Sequence, residues 1–161
     1  MSIAYIALGA NLGDPAAQLR QAMAAIAQLP HTQLLAGSSL YASAPVGYAD
    51  QPDFINAVCA VQTELAPAAL LAALLQIEQQ LGRERSFKNA PRTLDLDVVL
   101  YDALQLDTPE LQIPHPRMHQ RAFVLLPLLE IAPEVEIPGL GPAAALIGQV
   151  IDQALYRLDP V

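Results

Sequence analysis

The residues best suited to chemistry gather in one stretch. In Lys88-Asn-Ala-Pro-Arg92-Thr-Leu-Asp95-Leu-Asp97-Val-Val-Leu-Tyr101, two carboxylates stand two positions apart at the head of an apolar, partly β-branched run. On a strand, residues two apart share a face, with their Cα atoms about 7 Å apart. Asp95 and Asp97 can then converge on one or two hard cations, while Leu94, Leu96 and Val98 point the other way into a core. Mg²⁺ is bound in this manner, through one or two carboxylates plus substrate phosphates. The alternative is a strand with one wet, acidic face. The neighbouring cations weigh against that alternative. Of the eight Lys and Arg residues, six lie between positions 83 and 121: Arg83, Arg85, Lys88, Arg92, Arg117 and Arg121. In a chain of net charge -8, such a cluster points to a local anionic ligand. Phosphate leads, because Arg pairs with it bidentately. Carboxylates for Mg²⁺ beside arginines for phosphate are the parts of a phosphoryl-transfer site.

Two further clusters add a binding surface. In Ile113-Pro-His115-Pro-Arg-Met-His119-Gln-Arg121-Ala-Phe123, prolines on both sides of His115 fix its backbone. That suits a positioned side chain and equally a structural one. Phe54 and Asn56 share one face of a third strand. An aromatic beside an amide can stack on a flat heterocycle and bond its edge, or can simply be a packed Phe with an Asn at the strand end. There is no Gly-x-x-x-x-Gly-Lys-Ser/Thr loop and no Gly-x-Ser-x-Gly elbow, so neither a Walker-type nucleotide site nor that form of acyl transfer is expected.

These residues need a scaffold, and the patterning supplies one. Ile3–Leu8 reads as a strand. Asp14 and Pro15 open a helix whose apolar positions Leu19, Met23, Ile26 and Leu29 keep helical spacing up to Pro30. Leu34–Tyr41 reads as a second strand, Ser43–Pro52 as a loop and Phe54–Leu65 as a third strand. Pro67 opens a second helix with the stripe Leu70, Leu74, Ile77 and Leu81, and Gly82 follows it. Arg83–Arg92 reads as a basic loop and Thr93–Tyr101 as a fourth strand. A short extended piece is expected at Leu111–Pro116, a helix interrupted at Pro127 over Ala122–Ile131, and a last helix near Pro142–Leu155. Strand, helix, strand, strand, helix, strand is the order of an α+β, ferredoxin-like split β-α-β core. It predicts a mostly antiparallel sheet with both long helices packed on one face, and a C-terminal extension.

The 161 residues, 53% hydrophobic and 15% charged, suffice for one well-buried core, so residues 1–161 are expected to form a single domain. The strongest apolar run, Leu65–Ile77 between Glu64 and Glu78, is too short to span a membrane. The first positive side chain is Arg20, so no secretory signal is expected. The lone Cys59 excludes an internal disulfide and reads as a packed thiol, which together with the missing signal favours a cytoplasmic protein. The acidic balance argues against a general nucleic-acid binder.

The segment from Lys88 to Val99 resembles the signature of the 6-hydroxymethyl-7,8-dihydropterin pyrophosphokinase family. The likeness extends over nearly the whole chain. It takes in Ala7-Leu-Gly9-Ala-Asn11-Leu-Gly13-Asp14, Pro45-Val-Gly47, Gln51-Pro-Asp-Phe54-Ile-Asn56, Gly82-Arg83-Glu-Arg85, Pro91-Arg92-Thr-Leu-Asp95-Leu-Asp97 and Pro114-His115 through Arg121-Ala-Phe123. It departs from some members in having no Trp before Pro91-Arg92, in Ala10 for a commoner Ser and in Ser43 for a usual Thr. The resemblance implies a monomeric enzyme that moves pyrophosphate from ATP to the pterin hydroxymethyl group. Asp95 and Asp97 would bind two Mg²⁺ ions. Arg83, Arg85, Arg92, His115 and Arg121 would hold the ATP phosphates, with Arg83 and Arg92 among the catalytic groups. Glu78 would serve the ATP site from the second helix. The pterin would lie between Phe54 and Phe123, its edge read by Asn56 and by the stretch through Ser43, Ala44 and Val46. A non-catalytic ferredoxin-like module that binds a small molecule is the rival reading, since this architecture hosts many functions.

Overall fold

The fold grows outward from its first strand. The computed structural model describes residues 1–11, 13–43, 53–81 and 94–158. In chain order these form β1 (Ser2–Ala10), α1 (Pro15–Ala27), β2 (Thr32–Gly37), β3 (Tyr41–Ser43), β4 (Phe54–Thr63), α2 (Pro67–Leu81), β5 (Asp95–Tyr101), β6 (Leu106–Asp107), β7 (Gln112–Ile113), α3 (Ala122–Ile131), β8 (Glu136–Ile137), β9 (Gly141–Pro142) and β10 (Leu155–Arg157). The main sheet runs β10-β3-β4-β1-β5, with β2 also on β4. Its described strand pairs are antiparallel. This is the split β-α-β arrangement that the element order predicts, with β1 between β4 and β5.

Alternation along β1 sorts the side chains. Ala4, Ile6, Leu8 and Ala10 face one layer, joined there by Ala57, Cys59 and Val61 of β4 and by Leu94, Leu96 and Val98. Leu19, Ala22 and Ile26 of α1 and Leu70, Leu74 and Ile77 of α2 cover that face, so both long helices pack on one side as expected. Each buried Leu, Ile or Val among them contributes about 1.5–3 kcal/mol. Asp14 caps α1 by accepting from the Ala17 N–H at 3.2 Å, and Pro15 takes the first turn. Cys59 is buried among these residues and desolvation pushes its thiol up to about 12, as a packed, unreactive group. The opposite face carries Val58, Val99 and Leu100 under Val124, Leu125 and Leu128 of α3. Among the described residues, no helix is long and apolar enough to cross a membrane.

Three elements differ from their sequence reading. The strand expected at Leu34–Tyr41 is two strands, broken at 38–40. Ser38 there bonds β4 with both its N–H, to the Val58 carbonyl at 2.8 Å, and its hydroxyl, which accepts from the Val58 N–H at 2.9 Å. Serine side chains that compete for backbone partners end regular pairing. Pro127 does not interrupt α3: it is one of the buried residues of that helix. Its missing N–H forfeits the bond to the Phe123 carbonyl near the helix start, and packing holds the rest. The tail forms a 3₁₀ turn at Ala143–Gln149 and then β10, rather than a helix through Leu155. The extended piece expected at Leu111–Pro116 contains β7, paired with β6.

The tail is fixed by one acid that gathers several donors. Glu130 of α3 accepts from the Ser39 N–H at 3.0 Å, the Ser39 hydroxyl at 2.9 Å and the Tyr41 hydroxyl at 2.7 Å. Arg157 of β10 bonds the Ser39 hydroxyl at 3.1 Å and lies 3.5 Å from the Glu130 carboxylate. Burial alone would raise the carboxyl's pKa. The bonds from Tyr41 and Ser39, with Arg157, together hold it below its ordinary value. The same burial and carboxylate push the Tyr41 phenol up to about 12. Replacing Glu130 by Ala strands Tyr41 and Ser39, and is expected to cost about 2 kcal/mol. Urea unfolding at neutral pH measures this. A group with a lowered folded pKa stabilises above its unfolded value and loses that contribution as the pH falls through the folded one. The gap between wild type and Glu130→Ala should therefore narrow below the ordinary 4.5.

Candidate functional site

The face of the sheet away from α1 and α2 is only partly covered by α3, and the remainder is a cleft of about 900 Å³ bounded by described residues. Strand register dictates what stands on its floor. Gly9 of β1 lies opposite Asn56 on one side and Asp95 on the other, and Ala7 lies opposite Val58 and Asp97. Directly opposed residues of antiparallel strands share a face. Asp95, Gly9 and Asn56 thus form one rank across three strands, spanning about 10 Å at strand spacing. Gly9 separates the acidic shelf from the amide, and the small Ala7 lies beside it between Asp97 and Val58. Both aspartates are exposed, while Leu94, Leu96 and Val98 are buried behind them, as the period-two reading requires.

Gly9 is needed here for closeness. A Cβ at this position would come within 3.2 Å of the Asn56 Oδ1. Asn56 is itself only 4% exposed, so its amide must find partners. Its Nδ2 donates to the Ser43 hydroxyl at 2.8 Å, which fixes which end of the amide meets β3. Ser43 is paired with Phe54, and Phe54, Asn56 and Ser43 all line the cleft. Phe123 enters from the first turn of α3, with the Arg121 guanidinium 5.5 Å from its ring centroid. A flat ring and a fixed amide are thus available on one wall.

The cationic wall follows from a bulge. β1 and β5 slip register between Tyr5 and Ile6, leaving Val99 without an opposite residue. Val99 and Leu100 therefore both lie on the α3 side. The Val99 carbonyl accepts from the His115 N–H at 3.0 Å, fastening His115 beside the aspartates. His115 Nδ1 accepts from the Arg117 N–H at 3.2 Å, so a neutral ring carries its proton on Nε2. Burial lowers its pKa first. Asp97 raises it, and Arg121 and Arg117 lower it again, leaving it below the ordinary 6.5.

The structure thus brings together Asp95, Asp97, Ser43, Phe54, Asn56, His115, Arg121 and Phe123. The expected residues Arg83, Arg85, Arg92, Ala44 and Val46 lie outside the described residues. Glu78 is not on the cleft. It sits 4% exposed on α2, behind β5, where its Oε2 accepts the Leu96 N–H at 2.7 Å. That N–H belongs to an edge strand and sits between the two aspartates in sequence. From there the acid supports the strand that carries both aspartates. The sequence reading left Arg117 out of the site, although it counted that residue in the basic segment. It also missed Ala7, Gln153, Ala154 and Leu155, which line the cleft too. The tail gave no pattern by which to find them.

Two hard carboxylates on one exposed strand face suit a divalent cation. No group of three or more His, Cys, Asp or Glu side chains converges among the described residues. Protein atoms alone would leave such a cation largely hydrated, with room for a phosphate ligand.

A family model described as 7,8-dihydro-6-hydroxymethylpterin-pyrophosphokinase matches residues 5–133. A relative from Haemophilus influenzae, 2-amino-4-hydroxy-6-hydroxymethyldihydropteridine pyrophosphokinase, is 45% identical over 160 residues, covering 99% of this chain and all of that one. A relative of the same name from Pseudomonas aeruginosa is 50% identical over 134 residues, 83% of either chain. Among solved structures, a Plasmodium falciparum HPPK-DHPS mutant superposes with a TM-score of 0.73 at 16% identity. It covers 92% of this chain, which spans 44% of that longer one, and the likeness shows the shared fold.

The His115 environment can be read directly. An NMR pH titration should give this imidazole a midpoint below 6.5. Removing an opposing cation with Arg121→Gln should move the midpoint up, and removing the supporting anion with Asp97→Asn should move it down. A folded pKa below the unfolded one means that protons favour the unfolded chain as the pH drops past the ordinary value. The contribution of neutral His115 to stability is then lost toward acid. A midpoint indifferent to both substitutions would contradict this placement.

Proposed function

Since the chain belongs to the 7,8-dihydro-6-hydroxymethylpterin-pyrophosphokinase family and transfers pyrophosphate from ATP to a hydroxymethyl-dihydropterin in folate biosynthesis, we propose that this transfer takes place on the face shared by Asp95, Asp97, Asn56 and Phe54. One observation carries the reading: Gly9 holds an acidic shelf and a buried, oriented amide in a single rank across the sheet. The shelf serves the phosphates and the amide serves the ring.

Asp95 and Asp97 hold two Mg²⁺ ions in this reading. When bound, the ions neutralise phosphate charge and make the β-phosphorus more open to attack. Arg121 and His115 bind phosphate oxygens, together with Arg83, Arg85 and Arg92 from the segment outside the described residues. Neutral His115 offers its Nε2 proton as a donor without adding charge beside Asp97. The pterin stacks between Phe54 and Phe123. Asn56 bonds its edge, and Ser43 keeps that amide from turning; Ala44 and Val46, outside the described residues, are assigned to pterin binding as well. Glu78 keeps the β5 backbone in line, so the two carboxylates hold their spacing. The pterin hydroxymethyl oxygen forms its bond to the β-phosphorus. The bond from that phosphorus to the oxygen bridging to the α-phosphorus breaks, and its electron pair leaves with AMP. The hydroxyl proton passes to water.

We read the chain as one domain acting as a monomer: β10 closes onto β3, so the tail belongs to the same sheet as the first strand. A cytoplasmic setting is part of the same reading, in keeping with Cys59 as a free, buried thiol.

Incubation with ATP, Mg²⁺ and the dihydropterin should release AMP. ADP or inorganic phosphate as the product would overturn the proposal. Asp97→Ala should lose at least about a thousand-fold in turnover, equivalent to about 4 kcal/mol, because charge stabilisation at the phosphates goes with it. Its circular dichroism and thermal midpoint should stay close to wild type, since Asp97 is exposed. Near-normal AMP release from this variant would sink the assignment.

A further inference from the structure

Gln153 has no part in the reaction as proposed, yet it lines the cleft and spends its side-chain amide on the start of α3. Its Oε1 accepts the Ala122 N–H at 2.9 Å and its Nε2 donates to the Gln120 carbonyl at 2.9 Å. The two bonds bracket Arg121 on either side along the backbone. Arg121 is the residue where the chain leaves a 3₁₀ turn, at φ -123° and ψ 111°, and its carbonyl begins the helix by accepting from Val124 and Leu125. The side chain of Arg121, at the N-cap, does not cap this helix start. An amide from 31 to 33 residues further on takes that place. The tail that carries it is anchored just beyond, where Leu155 pairs with Ser43, the residue that orients Asn56.

We propose that Gln153 is a positioning residue for the anionic co-substrate: it clamps the backbone on both sides of Arg121, and so sets where the guanidinium and the adjoining Phe123 ring stand in the cleft. The proposal rests on the phosphate role given to Arg121 above. It has a physical reason in the helix start. Ala122 carries one of the first N–H groups of α3, which have no partner within the helix. Left unsatisfied, that group frays the turn. Satisfied by Gln153, it holds Arg121 in the extended conformation that directs its side chain away from the helix axis.

The test uses the full chain and two variants. Gln153→Leu keeps the bulk and removes both bonds. Gln153→Glu keeps an acceptor for Ala122 and sets a carboxylate against the Gln120 carbonyl. Hydrogen exchange at the Ala122 amide, measured without ligand, should speed up by about tenfold or more in Gln153→Leu and by less in Gln153→Glu. KM for ATP should rise about fivefold or more in Gln153→Leu, with kcat within about twofold of wild type, and Gln153→Glu should fall between. Faster exchange with an unchanged KM for ATP would make the clamp merely structural and overturn the proposal. So would an unchanged exchange rate, or a loss confined to kcat. Should Gln153→Leu fail to fold, Gln153→Glu decides on the same two readouts. Wild-type turnover reports separately on the function itself, while Ala122 exchange reads the clamp with no substrate present.

Discussion

Antiparallel register across β1 is the constraint from which the site follows. From Ala4 to Gly9, each residue of β1 has one neighbour on β4 and one on β5, and all three side chains emerge on the same face. Placing Gly9 between Asn56 and Asp95 therefore settles three facts together. The acids and the amide share a surface, their separation is set by strand spacing, and the ground between them is low enough for a ligand to lie on. Slipping the pairing by one residue would turn the acids into the core and the leucines into water. Burial of Leu94, Leu96 and Val98 under α1 and α2 is thus what stabilises the acidic shelf, although none of these residues touches it.

The sheet alone does not hold the site. Its borders are secured by side chains that reach in from elsewhere and satisfy backbone or hydroxyl groups. Glu78 takes a backbone N–H on the outer edge of β5. Glu130 gathers Ser39, Tyr41 and Arg157, tying α3 to the turn between β2 and β3 and to the tail. A carboxylate that gathers backbone or hydroxyl donors fixes its partners in turn. The acidic shelf itself is exposed. The two glutamates give it a frame.

Much of this was legible in the sequence because it rests on short periods. Short apolar, β-branched runs located β1 and β5, alternation located β4, and the period of two put Asp95 and Asp97 on one face. Three-to-four-residue spacing located α1 and α2 and the face they cover. What was not legible depends on partners far away in sequence. The break at Ser38 is made by Val58. Pro127 stays helical because the helix around it is buried. β10 exists through β3, and a strand of three residues leaves no pattern of its own. Arg117 was visible as a charge, but only the fold of the turn after β7 brings it to the cleft. Glu78 was legible as an inward-facing acid in need of a partner, but not that the backbone N–H of Leu96 would be one.

The bulge at Val99 divides β5 into two halves that answer to different masters. Up to Val98 the strand alternates between ligand and core, so every second position is answerable to chemistry. From Val99 to Leu100 the alternation lapses, and both side chains belong to packing beneath α3. Changes in the first half therefore bear on the reaction, and changes in the second bear on packing. Shortening the strand by a single residue at the irregularity would restore an even ladder, rotate everything after it and cast off the carbonyl to which His115 is moored.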